Sequence, residues 1–154
     1  MKKNNKNEKD LLSLGKSYFE KEEYKEAIKV LLELVKLNPN NEEGLGILGA
    51  SYFHNGQCEE AKKIALKLTE LNPNNYDGWA SLGVSYFGNG DYDKAIEYLL
   101  KAIELNPKDF EGWDWLGASY FENGDYDKAI EYLLKAIELN PDEPDNYWEL
   151  GWLY

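Results

Sequence analysis

A short pattern, Leu-Gly-x-x-Tyr, returns five times along this chain at a constant interval of 34 residues: Leu14-Gly15-Tyr18, Leu48-Gly49-Tyr52, Leu82-Gly83-Tyr86, Leu116-Gly117-Tyr120 and Leu150-Gly151-Tyr154. Ala27, Ala61, Ala95 and Ala129 keep the same interval, as do Asn-Pro pairs closing at Pro39, Pro73, Pro107 and Pro141. Over residues 86–107 and 120–141 the chain repeats itself except at Gly88 and Glu122. A segment written twice at fixed spacing is a building unit rather than a catalytic centre, which needs one constellation of groups. A unit too small to bury its apolar faces must stack on its neighbours, so a period of this length marks a solenoid.

Each unit reads as two helices. In the third, Trp79, Leu82, Gly83 and Tyr86 share one face, and Ala95, Ile96, Leu99, Ala102 and Ile103 share another. Asn89-Gly90-Asp91 supplies the turn between them: Gly90 can take a positive φ and Asp91 can cap the second helix. Asn106-Pro107 ends that helix, because proline lacks an amide donor and restricts the residue before it. Small residues at Gly83 and Ala95 let the two backbones approach. Glu97 with Lys101 and Glu131 with Lys135 form exposed i,i+4 pairs.

The motifs Trp79-x-x-Leu82-Gly83-x-x-Tyr86 with Ala95 and Pro107, and Trp113-x-x-Leu116-Gly117-x-x-Tyr120 with Ala129 and Pro141, resemble the tetratricopeptide repeat. The resemblance implies an all-α, right-handed α-solenoid of antiparallel helix pairs. Its units are residues 8–41, 42–75, 76–109 and 110–143, after a polar tail at 1–7 and before the first helix of a fifth unit at 144–154. The early units depart from the pattern: Leu11 and Leu45 replace the tryptophan, Glu22 the turn glycine, and Cys58 the tyrosine of Tyr24, Tyr92 and Tyr126. The second-helix aromatic of the family is here Leu31, Ala65, Leu99 or Leu133, so packing around Ala65 is expected to differ.

Charge narrows the partners. The net charge is −12, and all the excess lies in residues 76–154, where 5 lysines face 17 acids; residues 1–75 carry 12 of each. Such a field repels phosphate backbones and anionic lipid, which argues against nucleic acid and membrane, and it attracts basic partners. No run of residues is long and apolar enough for a transmembrane helix, and no signal peptide is visible. With Cys58 the sole cysteine, a cytoplasmic setting is expected.

A second apolar stripe runs along the first helices, marked by Phe19, Phe53, Phe87 and Phe121. Around these lie Lys16, then Gly46, Ile47 and Ala50, then Ala80 and Val84, then Trp115 and Ala118, with Trp148 and Trp152 beyond. The family resemblance places first helices on the concave side of the superhelix, where a peptide docks. Small residues at Gly46, Ala50, Ala80 and Ala118 are expected to leave shallow pockets between the phenylalanines. Asp77, Glu111, Asp114, Asp145 and Glu149 supply acidic edges. A peptide or protein segment with apolar anchors and basic residues suits such a groove; alternatively, the phenylalanines pack only against neighbouring helices and the acids only face water. Some family members grip a C-terminal carboxylate with cationic side chains from successive units. At the matching places stand Leu12, Lys16, Ile47, Asp77 and Ser81, of which Lys16 alone is cationic, so acidic tails are disfavoured.

Enzymatic chemistry is not expected, nor any metal or cofactor. His54 is the only histidine and reads as a solvated residue near a helix end. Cys58 reads as a turn residue whose thiolate is opposed by Glu59 and Glu60. The glycines of Gly88-Asn89-Gly90 form no phosphate loop, and Asp91 and Asp93 read as capping residues. The last stretch, PDEPDNYWELGWLY, is a first helix without its second. It reads as the cut end of a longer array; stacking on a second copy through this end comes next, and a minimal cap is the third reading.

Overall fold

The computed structural model describes residues 7–142 and Gly151. They form an all-α helical repeat solenoid of eight helices, with no strand among the described residues. The pairs are α1 (Glu8–Glu20) with α2 (Tyr24–Leu37), α3 (Glu42–His54) with α4 (Cys58–Leu71), α5 (Tyr76–Gly88) with α6 (Tyr92–Leu105), and α7 (Phe110–Glu122) with α8 (Tyr126–Leu139). Cys58 therefore opens α4 instead of sitting in the turn. Each first helix packs on its own second helix, on the second helix of the preceding pair and on the adjacent first helices, whereas successive second helices barely meet. The first helices thus form one layer and the second helices the other. Among adjacent first helices, contact is slightest between α5 and α7.

Every turn inside a pair has one geometry. Asp91 N–H donates to the Tyr86 carbonyl and Gly90 N–H to the Phe87 carbonyl, and the equivalent bonds recur at Glu22 and Glu23, at Gly56 and Gln57, and at Gly124 and Asp125. This Schellman pattern needs a left-handed residue just after the helix. Gly56, Gly90 and Gly124 occupy it with φ of 79°, 76° and 82°, and Glu22 adopts it too, at 59°. Asp91 and Asp125 then cap the second helices through the amides of Lys94 and Lys128. Asn7, Asn41, Asn75 and Asp109 cap the first helices.

Within a pair, glycine and leucine interlock. A Cβ at Gly15, Gly83 or Gly117 would fall 2.5–2.7 Å from the side chain of Leu31, Leu99 or Leu133. In the second pair Ala65 replaces that leucine, and a Cβ at Gly49 would meet only Ile64, at 3.3 Å. The altered packing expected around Ala65 is this relief. The later pairs add ring stacks, Trp79–Tyr98–Tyr86 and Trp113–Tyr132–Tyr120. Each tryptophan also donates its indole N–H to the carbonyl of Pro73 or Pro107 in the preceding connection, at 2.8 and 2.9 Å. On the surface Lys101 pairs with Glu97 as expected, but Lys135 turns to Glu138 rather than Glu131.

Adjacent units are also tied by hydrogen bonds. The carboxylate of Glu8 accepts from the amides of Asn38 (2.8 Å) and Asn41 (2.6 Å), and that of Glu42 accepts from Asn72 (3.1 Å) and Asn75 (2.8 Å). These bonds hold both carboxyls below the ordinary glutamate range, Asn41 contributing most to Glu8 and Asn75 most to Glu42.

Candidate functional site

The layer of first helices encloses a cleft of about 840 Å³ reaching from α1 to α7. Its lining follows from helical spacing: Glu42, Glu43, Gly46, Ile47, Ala50, Phe53 and His54 descend one face of α3, and Tyr76, Asp77, Ala80, Ser81 and Val84 descend the same face of α5. The chemistry is divided along the helix axes. Carboxylates gather at the N-terminal ends, where Glu42, Glu43, Asp77 and Glu111 lie in first turns and Asp109 is a cap. Those are the ends at which the helix dipole favours negative charge. Phe19, Phe53 and His54 lie toward the other end, while Tyr76 and Phe110 open α5 and α7 beside the carboxylates.

Six carboxylates line the cleft (Glu42, Glu43, Asp77, Asp109, Glu111 and Asp114), and Lys16 is the lysine among them. Lys16 is paired with Glu43. Between α5 and α7 the hydrogen-bonding logic of the earlier units is reversed. Where Glu8 and Glu42 accept from Asn41 and Asn75, the matching first residue is Tyr76, a donor, and its partner is Asp109, an acceptor. Desolvation, and then the Asp109 charge, push the Tyr76 hydroxyl pKa far upward, so it stays protonated and donating. Solvent reaches Asp77, yet the surrounding walls still raise its carboxyl above the usual aspartate range, with the Asp109 charge adding to the effect.

The rings form a connected line. Tyr24 stacks on His54 at 5.0 Å, and Phe19 and Phe53 meet the same imidazole edge-on at 5.9 and 5.5 Å. Trp115 then packs edge-on against Phe53 at 5.7 Å and Phe87 at 5.2 Å. An α7 side chain thus crosses over α5 to touch α3. His54 is exposed, as expected near a helix end, but it is held among aromatic rings.

Of the residues expected in the groove, Lys16, Phe19, Ile47, Ala50, Phe53, Asp77, Ala80, Val84, Glu111, Asp114 and Trp115 meet in this one cleft. Phe87, Ala118 and Phe121 stand outside its lining. Phe87 lies against Trp115 and Tyr92, Ala118 is buried in α7, and Phe121 leans on Tyr126. Trp148 and Trp152, and with them self-association through residues 144–154, fall outside the described residues. The reading of single units missed Glu42, Glu43, Asp109 and Tyr76. A signal for this face was present: units 76–107 and 110–141 differ only at Tyr76/Phe110, Asp77/Glu111, Ala80/Asp114, Ser81/Trp115, Val84/Ala118 and Gly88/Glu122. The first four of these pairs and Val84 line the cleft, Ala118, Gly88 and Glu122 do not, and the second helices are letter-for-letter the same.

Among the described residues no cluster of His, Cys, Asp and Glu is gathered to hold a metal, and no helix is long and apolar enough to cross a membrane. The sequence matches the family profile described as Tetratricopeptide repeat over residues 48–110, 80–144 and 116–154, and one described as TPR repeat over 15–56. Among solved structures, a crystal structure of the MamA protein is 31% identical, with TM-score 0.75 over 88% of this chain and 74% of that one. MamA from Desulfovibrio magneticus RS-1 is 24% identical, with TM-score 0.77 over 90% and 78%. A thermophilic TPR protein of Thermus thermophilus is 22% identical, with TM-score 0.83 over 99% and 84%. No curated protein sequence matches the chain.

Proposed function

The chain belongs to the tetratricopeptide repeat family and is a protein-interaction repeat module; from that premise we propose that it binds an extended peptide segment carrying apolar and basic side chains in the cleft of α1, α3, α5 and α7. The observation that carries this reading is that most of the differences between two otherwise identical units, four of the six pairs on both sides, lie in the cleft lining. Residues that only stack units are held constant between the copies, whereas residues that meet a ligand are free to differ.

The lining gives the ligand its character. Carboxylates at one end of the helices attract lysine or arginine, and Ile47, Ala50, Phe53, Ala80 and Val84 accept apolar side chains. One well-buried anchor contributes roughly 1.5–3 kcal/mol, and micromolar binding needs about 8 kcal/mol, so several anchors act together. No step of this function requires a reacting group.

Fluorescence polarisation with two labelled peptides tests the reading: one alternates leucine with lysine, the other leucine with glutamate. The lysine peptide is expected to bind saturably and to weaken with added salt, and Asp77→Asn with Glu111→Gln should reduce its affinity about tenfold, in keeping with loss of two screened charge contacts. Equal binding of both peptides, or no effect of the double substitution, would refute it.

A further inference from the structure

Trp115 differs from its counterparts in the other units. The matching positions are Ser13, Ile47 and Ser81, none of which bears a ring. Its indole contacts Phe53 at 85° and Phe87 at 69°, bridging two phenylalanines that belong to different units and neither of which belongs to its own. In a solenoid held together by nearest neighbours, a side chain that reaches past the next helix is an added element. It lies where α5 and α7 make their slight contact, it is only half-buried, and it forms part of the cleft wall.

We infer that the space between Phe53 and Phe87 is a seat for an aromatic side chain of the bound segment, filled in the free protein by Trp115. This rests on the peptide-binding reading above and deepens it: the ligand carries an aromatic anchor beside its positive charge. The chain itself demonstrates that the seat fits a ring, since both flanking phenylalanines meet the indole edge-on, the geometry aromatic pairs prefer. The carboxylates of the cleft supply the preference for a cation next to that ring. Trp115 is then the specificity-determining residue. A segment without a ring gains nothing by displacing it, while one with a ring exchanges equivalent contacts and adds its own charge pairing.

The test uses three small probes sharing one ring: tryptophanamide, which is cationic, N-acetyltryptophanamide, which is neutral, and N-acetyltryptophan, which is anionic. Trp115→Ser, which installs the residue of the preceding unit, opens the seat. Calorimetric titration of Trp115→Ser is expected to show saturable binding at least tenfold tighter than in the unaltered chain, in the order cation, neutral, anion, and adding Phe53→Ala should abolish it. Trp115→Ala is the second variant and should behave alike. Absence of probe binding in both variants, equal binding in the unaltered chain, or persistence of binding after Phe53→Ala would overturn the seat. Loss of the folded state in both variants, read by circular dichroism, would overturn it too, since Trp115 would then be core. The lysine-leucine peptide contains no ring, so its binding to the unaltered chain is judged separately from this seat.

Discussion

A methyl group placed on the recurring glycine would meet different surroundings in the second unit than in the others. Gly83 faces Leu99 so closely that a Cβ would lie 2.6 Å from Leu99 Cγ and 3.2 Å from the Ala95 carbonyl oxygen. Neither can withdraw, because Leu99 and Ala95 are fully buried and the carbonyl belongs to a helix. At Gly49 the same Cβ meets only Ile64 Cγ2 at 3.3 Å, since Ala65 has taken the leucine's place. Crowding of a packed core costs about 1–3 kcal/mol, and replacing glycine by alanine inside a helix contributes about 1 kcal/mol in its favour. Gly83→Ala is therefore expected to lose up to about 2 kcal/mol net in urea unfolding, and more than Gly49→Ala, which is expected to be neutral or mildly stabilising. Similar losses at both positions would show that the Ala65 relief does not exist. Glu22 makes a related point: the turn keeps its hydrogen bonds although a residue with a side chain holds a φ of 59°. The bonds of the motif outweigh the roughly 1–2 kcal/mol that the left-handed region costs such a residue.

Between helices, the units are joined by donor-to-acceptor pairs whose two halves change together. Glu42 accepts from Asn75, whereas Tyr76 donates to Asp109. Tyr76→Glu alone sets two acceptors against each other and should destabilise the array by about 1–3 kcal/mol. Combined with Asp109→Asn it restores the arrangement of the preceding unit, and most of the loss should return. A double-mutant cycle in thermal or urea unfolding measures this, and additive losses would refute the pairing. The same pair shows what a sequence makes legible. The solenoid could be read because Leu-Gly-x-x-Tyr, the alanines and the Asn-Pro pairs recur at one interval, and local spacing dictates each helix. The stripe holding Phe19, Phe53, Ala80 and Val84 followed from the same spacing. The reach of Trp115 to Phe53 did not, because it depends on how successive units are rotated, and that rotation arises from many small packing contacts rather than from any one motif. The Glu42–Asn75 and Tyr76–Asp109 ties span 33 residues and emerge only when units are laid over one another.

At the scale of the whole molecule, the carboxylates proposed to attract a basic segment also strain the free protein. Asp77 is the clearest instance: its carboxyl is raised above the ordinary aspartate range, first by desolvation and then by Asp109. An acid whose folded pKa exceeds its unfolded value destabilises the fold once ionised. That penalty is complete above the folded pKa and is relieved as pH falls through the window between the two values. Glu8 and Glu42 have the opposite sign, since their lowered pKa values give stabilisation that is present above the ordinary glutamate range and lost on acidification. Asp77→Asn removes one term without touching the others. It should raise Tm at pH 7 by about 1–2 °C, a small gain because solvent screens the group, and that gain should vanish once pH falls below the carboxylate range. The same substitution should weaken binding of the lysine-leucine peptide, so stability and affinity move in opposite directions, as expected where a charge is kept for a partner rather than for the fold. Thermal melts of both proteins at pH 7 and at acid pH, set beside peptide titrations at pH 7, decide the matter: a gain in Tm that persists at acid pH, or one accompanied by unchanged affinity, would show that Asp77 strains the fold for some reason other than its charge.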